Sequence, residues 1–99
     1  METLNDKQFR FTRMLAGLIT YAYSEGYTIQ MGDVFAHDRH ALNSYHYKHL
    51  AADLNLFKDG KYLTRREDHH LLGQYWKAYG GTWGGDFSSG DANHYSYGE

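Results

Sequence analysis

Seven histidines, at positions 37, 40, 46, 49, 69, 70 and 94, and carboxylates at 53 and 91 give this chain the donors of a metal site. Two of the histidines stand out by their surroundings. His46 lies in Ser44-Tyr45-His46-Tyr47-Lys48-His49-Leu50-Ala51-Ala52-Asp53, and His94 in Asp91-Ala92-Asn93-His94-Tyr95. Two imidazoles with one carboxylate leave the fourth tetrahedral position of Zn²⁺ to water, the arrangement of catalytic rather than structural sites. Water bound there ionises near neutral pH and becomes a nucleophile.

Spacing alone does not choose the trio. Asp91 and His94, three apart, allow one residue to ligate while the other contacts the water, yet the same pattern fits an Asx turn entering an edge strand. His37 with His40, and His46 with His49, repeat that interval, so positions 37, 40 and 49 compete for the metal. His69 and His70 fall early in a helical stretch and are expected to face solvent. Asp53 is more telling, because a carboxylate beside Ala51, Ala52 and Leu54 is costly to bury unless it is paired or metal-bound. The bland alternative is a solvated sheet face.

The elements that must position these groups follow from periodicity. Phe11, Leu15, Leu18, Ile19 and Ala22 form a helical stripe over residues 5–25, with Asn5 as cap and Gly26 as a left-handed stop. Residues 27–31 alternate as a strand, and 32–43 read as a loop over the site. Residues 50–57 form a second strand, with Leu54 and Leu56 on one face and Asp53 and Asn55 on the other. Asp59-Gly60 is a hairpin turn that folds 61–63 back onto it. Thr64 to Glu67 reads as a capping box opening a helix whose buried face carries Leu71, Leu72, Tyr75, Trp76 and Tyr79. Gly80-Gly81 ends that helix, and Thr82-Trp83 and residues 93–97 read as short strands around a Gly/Ser-rich loop. The order α-β-β-β-α-β predicts a small α+β domain with two main helices and an antiparallel sheet, one domain over residues 1–99.

Composition narrows the function classes. The formal net charge is −2 with ten Lys and Arg scattered along the chain, so nucleic-acid binding lacks an electrostatic footprint. Without cysteine, disulfides and thiolate sites are excluded. The apolar run over 14–19 is too short to span a bilayer, and the amino terminus lacks the order of a secretory signal. A soluble, monomeric product made in the cytoplasm is expected. A bound metal would add to the modest stability of so short a chain.

Taken together, Ser44-x-His46, Asp53 and the Asp91-x-x-His94-Tyr95 stretch resemble the two motifs of the M15 zinc peptidases. That family includes D-alanyl-D-alanine carboxypeptidases and phage L-alanyl-D-glutamate endopeptidases. Trp83-Gly84-Gly85-Asp86-Phe87 resembles a stretch of the endopeptidase branch, and residues 53–60 resemble a hairpin of short phage members. The resemblance covers roughly residues 27–97. It implies a Hedgehog/DD-peptidase-like fold with His46, Asp53 and His94 as zinc ligands, Asp91 as general base and Ser44 behind the His46 segment.

There are two departures from the family pattern. His49 stands where the family often has Gly, and its side chain would either crowd the site or offer a spare ligand. The family's carbonyl-polarising Arg lies upstream of the Ser; Ala36 stands near its place, and Arg39, three residues later, is the candidate for the role. The resemblance implies a zinc-dependent peptidase acting on peptidoglycan stem peptides, a phage or prophage endolysin made in the host cytoplasm and reaching the wall on release. Tyr27, Tyr45, Tyr47, Tyr95 and Tyr97 are expected near the groove, unless they reflect strand propensity alone. The competing reading is a non-catalytic, zinc-stabilised binding or virion module with the same fold.

Overall fold

A computed structural model of the chain describes residues 1–32 and 48–98. Helix α1, Leu4–Ser24, buries Phe11, Leu18 and Ala22, the spine of the expected stripe. It starts earlier than Asn5. Thr3 is the cap: its hydroxyl accepts the Asp6 N–H at 3.1 Å while the Asp6 carboxylate accepts the Thr3 N–H at 3.0 Å. This reciprocal box satisfies two backbone donors that helix geometry leaves over. It also holds the Asp6 carboxyl below its ordinary range, chiefly through the Thr3 backbone bond.

Strand β1, Thr28–Met31, pairs antiparallel with β2, Ala51–Lys58, and β2 pairs with β3, Lys61–Leu63. Asp59 and Gly60 both take positive φ, 53° and 77°, as the tight turn between β2 and β3 requires. The alternation on β2 is as expected: Ala52, Leu54 and Leu56 are buried, while Asp53, Asn55 and Phe57 lie partly exposed on the opposite face.

Helix α2, Arg66–Ala78, departs from the expected pattern in two ways. Its cap is Arg65 rather than Thr64, and Asp68 rather than Glu67 reaches back to accept the cap N–H at 3.0 Å. The buried face is His69, Leu72, Gly73 and Trp76; Leu71 and Tyr79 are 39% and 62% exposed. Counting only apolar residues turned the expected face away from the true one, because a histidine and a glycine occupy its centre. Gly73 is required there, since a Cβ would run into the Trp83 indole.

Two more strands complete the sheet: β4, Thr82–Trp83, and β5, His94–Ser96. The order is β1-β2-β5-β4, with β3 also on β2. Both helices contribute to one core with the inner sheet face, where Trp76 meets Phe11 and Tyr95 edge-on at 5.8 and 5.9 Å. The Trp76 indole N–H donates to the Ser96 carbonyl at 2.8 Å, so its polar atom is satisfied in the core.

One edge of β2 is split. The Gly32 N–H donates to the Asp53 carbonyl on the β1 side, so the Leu54 N–H points the other way, to the Asn93 carbonyl at 2.9 Å. On that second edge β5 covers Ala51 to Asp53 and β3 covers Leu56 to Lys58. The sheet therefore forks at Leu54 and Asn55. No helix among the described residues is long and apolar enough to cross a membrane.

Candidate metal centre

Antiparallel register makes Asp53 and His94 direct partners across β2 and β5. Residues so placed project from the same face with Cβ atoms about 4.5–5.5 Å apart. Here that face is the one away from the helices. The His94 Nδ1 stands 3.7 Å from an Asp53 carboxylate oxygen, and the two side chains are only 10% and 16% exposed. Such enclosure excludes the solvated-face alternative for Asp53.

Asp91 arrives from the turn that leads into β5. Its N–H donates to the Gly84 carbonyl at 2.9 Å, and its own carbonyl accepts the His94 N–H at 3.0 Å. The Asp91 carboxylate comes within 3.9 Å of His94 Nδ1 while its side chain stays 50% exposed. One donor atom from each of Asp53, Asp91 and His94 lies within 4.8 Å of the others. Ligands about 2.0–2.2 Å from a tetrahedral zinc stand about 3.3–3.5 Å apart, so the 3.7 Å Asp53–His94 pair needs little closure to share an ion. Two carboxylates beside one imidazole also suit a divalent cation electrostatically. The residues present fit a metal.

Two glycines explain why the chain can pass so close to this pair. A Cβ on Gly84 would overlap the Asp91 carbonyl oxygen and stand 2.7 Å from the His94 Cβ. One on Gly32 would stand 3.0 Å from the Asp53 carbonyl oxygen and 3.1 Å from its Cβ. The 3-10 turn Gly84–Asp86 begins the loop that carries Asp91, and several contacts tie that loop down. The Trp83 indole N–H donates to the Ala92 carbonyl at 2.7 Å, and Arg66 Nε donates to the Gly85 carbonyl at 2.8 Å. Asp86 pairs with Lys77 at 2.7 Å and Arg66 at 3.1 Å. The Lys77 hydrogen bond is the main reason the Asp86 carboxyl titrates below its ordinary range. Phe87 lies against the His94 imidazole, ring centres 5.4 Å apart.

Of the residues singled out in the sequence, Asp53, Asp91 and His94 come together. His46, Ser44 and Arg39, with the competing His37 and His40, fall outside the described residues, as does most of the expected 32–43 loop. His49 is exposed and adopts φ 57°, a left-handed backbone that favours glycine. The backbone demand accounts for the Gly found there in the resemblance, and His49 is not one of the three clustered donors.

Among the other expectations, His70 is exposed as anticipated, whereas His69 is 1% exposed. The His69 Nδ1 lies 3.0 Å from the Tyr95 hydroxyl, and the ring also bonds the Leu63 backbone. Burial lowers the His69 pKa, and burial raises that of the Tyr95 phenol, so the neutral pair is the stable form. In that form Tyr95 O–H donates to His69 Nδ1. Adjacent histidines gave no sign of which one faced inward; the i, i+3 and i+7 spacing of His69 to Leu72 and Trp76 was the available signal.

Of the tyrosines expected around the groove, the three described ones are engaged elsewhere. Tyr95 is fully buried on the helix side, Tyr97 bonds Glu2 at 2.9 Å, and Tyr27 lies under the Lys58 ammonium. Tyr45 and Tyr47 lie outside the described residues. Among the described residues, the phenol that flanks the site face is Tyr62, which donates to Asn55 Oδ1 at 3.3 Å.

A family model described as D-alanyl-D-alanine carboxypeptidase, from the M15 peptidases, matches residues 37–97. Among curated proteins, none matches the chain. The match takes in more than half of the sequence, both candidate motifs and every strand but β1. The chain belongs to the M15 peptidases, a metal-dependent family acting on peptidoglycan.

Proposed function

We propose that this M15 family member is a zinc peptidase that hydrolyses a peptide bond in the stem peptides of bacterial peptidoglycan. The L-alanyl-D-glutamate bond is preferred over D-alanyl-D-alanine, because Trp83-Gly84-Gly85 resembles the endopeptidase branch. The protein would serve as a phage or prophage endolysin, made in the host cytoplasm and acting at the wall. What carries the reading is the cross-strand Asp53–His94 pair with Asp91 3.9 Å from the same imidazole nitrogen, in a chain of this family.

Asp53 and His94 would hold the ion with His46 as third ligand, and Ser44 would steady the His46 segment. When bound, zinc supplies a water that ionises near neutral pH and a Lewis acid for the scissile carbonyl. Asp91, half exposed on the open side of His94, accepts the proton of the attacking water and releases it to the departing amine. The loop contacts of Trp83 and Gly84 hold that carboxylate in place through the step. Arg39 is assigned to the carbonyl oxygen, where a guanidinium offsets developing negative charge. Phe87 and the buried walls of the pair keep bulk water from His94.

The test is mass spectrometry of purified cell walls after digestion, with and without chelator. New D-glutamyl amino termini that vanish with chelator are expected. Walls left intact by the zinc-loaded protein would favour the non-catalytic module instead.

A further inference from the structure

The fork in the sheet opens a slot of about 220 Å³ beside Asp91. That is below the about 300–1,000 Å³ typical of sites for drug-sized ligands, so the slot has room for one residue, not for a glycan. Its rim holds Asn55 on β2, Tyr62 and Thr64 from the β3 side, and Asn93 and Asp91 from the approach to β5; His69 lies at its base. Asn55 shares the open sheet face with Asp53, two residues and about 6.6 Å farther along β2. Its Oδ1 accepts from both Tyr62 and Asn93 at 3.3 Å, and its Nδ2 donates to Gln30 Oε1 at 3.2 Å. The rim is thus a fixed row of neutral amide and hydroxyl groups leading away from the metal pair. Among the described lining residues the only charged side chain is the Asp91 carboxylate, with no Lys or Arg.

The position of this slot follows from the chemistry assigned to Asp91. A group that returns its proton to the departing amine must face that amine, so the cavity sharing Asp91 lies on the leaving side of the scissile bond. We propose that the slot at the β3–β5 fork is the subsite for the leaving residue, and that it selects a neutral carboxamide there over a free carboxylate. Resting on the peptidase reading above, the assignment goes further and names the chemistry of the favoured substrate. A carboxylate on the leaving residue would meet Asp91 with no cation among the described lining residues to offset it, whereas a carboxamide both donates to and accepts from such a row. The carboxylate of a departing D-alanine is disfavoured for the same reason, and an amidated D-glutamyl residue is favoured.

The experiment uses the zinc-loaded full chain and two synthetic stem peptides cut at L-Ala-D-Glu, identical except that the glutamyl α-carboxyl is free in one and amidated in the other. Like-charge juxtaposition of this kind costs enough to give about a tenfold or larger kcat/KM advantage to the amide. Tyr62→Arg, at a half-exposed rim position, places a cation in the slot and is expected to shrink or invert that ratio. Thr64→Arg is the second variant should the first not fold. Equal kcat/KM for the two peptides, or a preference for the free carboxylate, overturns the subsite and leaves the peptidase reading standing. A preference that neither arginine variant alters overturns its location. Cleavage of neither peptide by the metal-loaded protein refutes the peptidase reading and this assignment with it.

Discussion

Replacing Gly84 with Ala adds a single methyl, yet the fold has no space for it. The new Cβ overlaps the Asp91 carbonyl oxygen and stands 2.7 Å from the His94 Cβ, and neither neighbour is the end of a flexible chain. The Asp91 carbonyl also accepts the His94 N–H, so relieving the overlap moves the proposed base and the candidate ligand together. Overpacking of this kind costs about 1–3 kcal/mol. In a domain of this size that lowers Tm by about 4–8 °C per kcal/mol. The functional cost is larger, because a misplacement of about 1 Å at a catalytic group lowers turnover on the order of 100-fold. Gly60→Ala is the control: φ there is 77° but nothing stands within 4 Å of the added methyl, so only the backbone term is paid. That term is about 1–2 kcal/mol with the site intact. Thermal melts with and without chelator, zinc stoichiometry and wall digestion are measured on both variants. Gly84→Ala should lose activity and most of the zinc-dependent rise in Tm, while Gly60→Ala keeps both. A Gly84→Ala protein with unchanged zinc binding and turnover would refute the steric argument.

Asp91→Asn should lower activity by about 10²–10⁴-fold while retaining zinc; loss of zinc in that variant, measured by stoichiometry, would make Asp91 a ligand instead. The His69 pKa is depressed by burial below its ordinary 6.5, so protons bind the unfolded chain more readily. Its contribution is complete above pH 6.5 and is lost as pH falls below that value, at up to about 1.4 kcal/mol per pH unit. Melts in chelator at pH 7.5 and 5.5 should therefore show a shallower pH dependence for His69→Gln than for the parent, and equal slopes would contradict the assignment. His49→Gly relieves a left-handed φ of 57° and should stabilise by about 1–2 kcal/mol, read as a rise in Tm; no rise, or a fall, would show that the His49 side chain contributes more than its backbone costs.

What the sequence made legible was local. The α1 stripe, the alternation on β2 and the Asp-Gly turn are short-range patterns, and each appears where expected. The resemblance motifs name Asp53, Asp91 and His94, whose donor atoms lie within 4.8 Å of one another, but the reason they meet is a long-range register between β2 and β5 that no local pattern encodes. Errors arose where a polar or small residue occupies a buried place. His69 and Gly73 form the middle of the α2 core face because a phenol and an indole complete them from β5 and β4. Tyr27, Tyr95 and Tyr97 misled for the opposite reason, since the core takes up Tyr95 while Glu2 and Lys58 engage Tyr97 and Tyr27. The fork at Asn55 was invisible too, as it depends on where β3 stops and β5 starts along one edge.

The central claim is that Asp53 and His94, opposed across two strands, hold the metal. Zinc titration of the parent, Asp53→Ala and His94→Ala, followed by calorimetry and by bound-metal stoichiometry after dialysis, tests it most directly. One zinc per parent chain, falling to none in each variant while both remain folded, is the predicted result. Stoichiometric zinc retained in both alanine variants would contradict it.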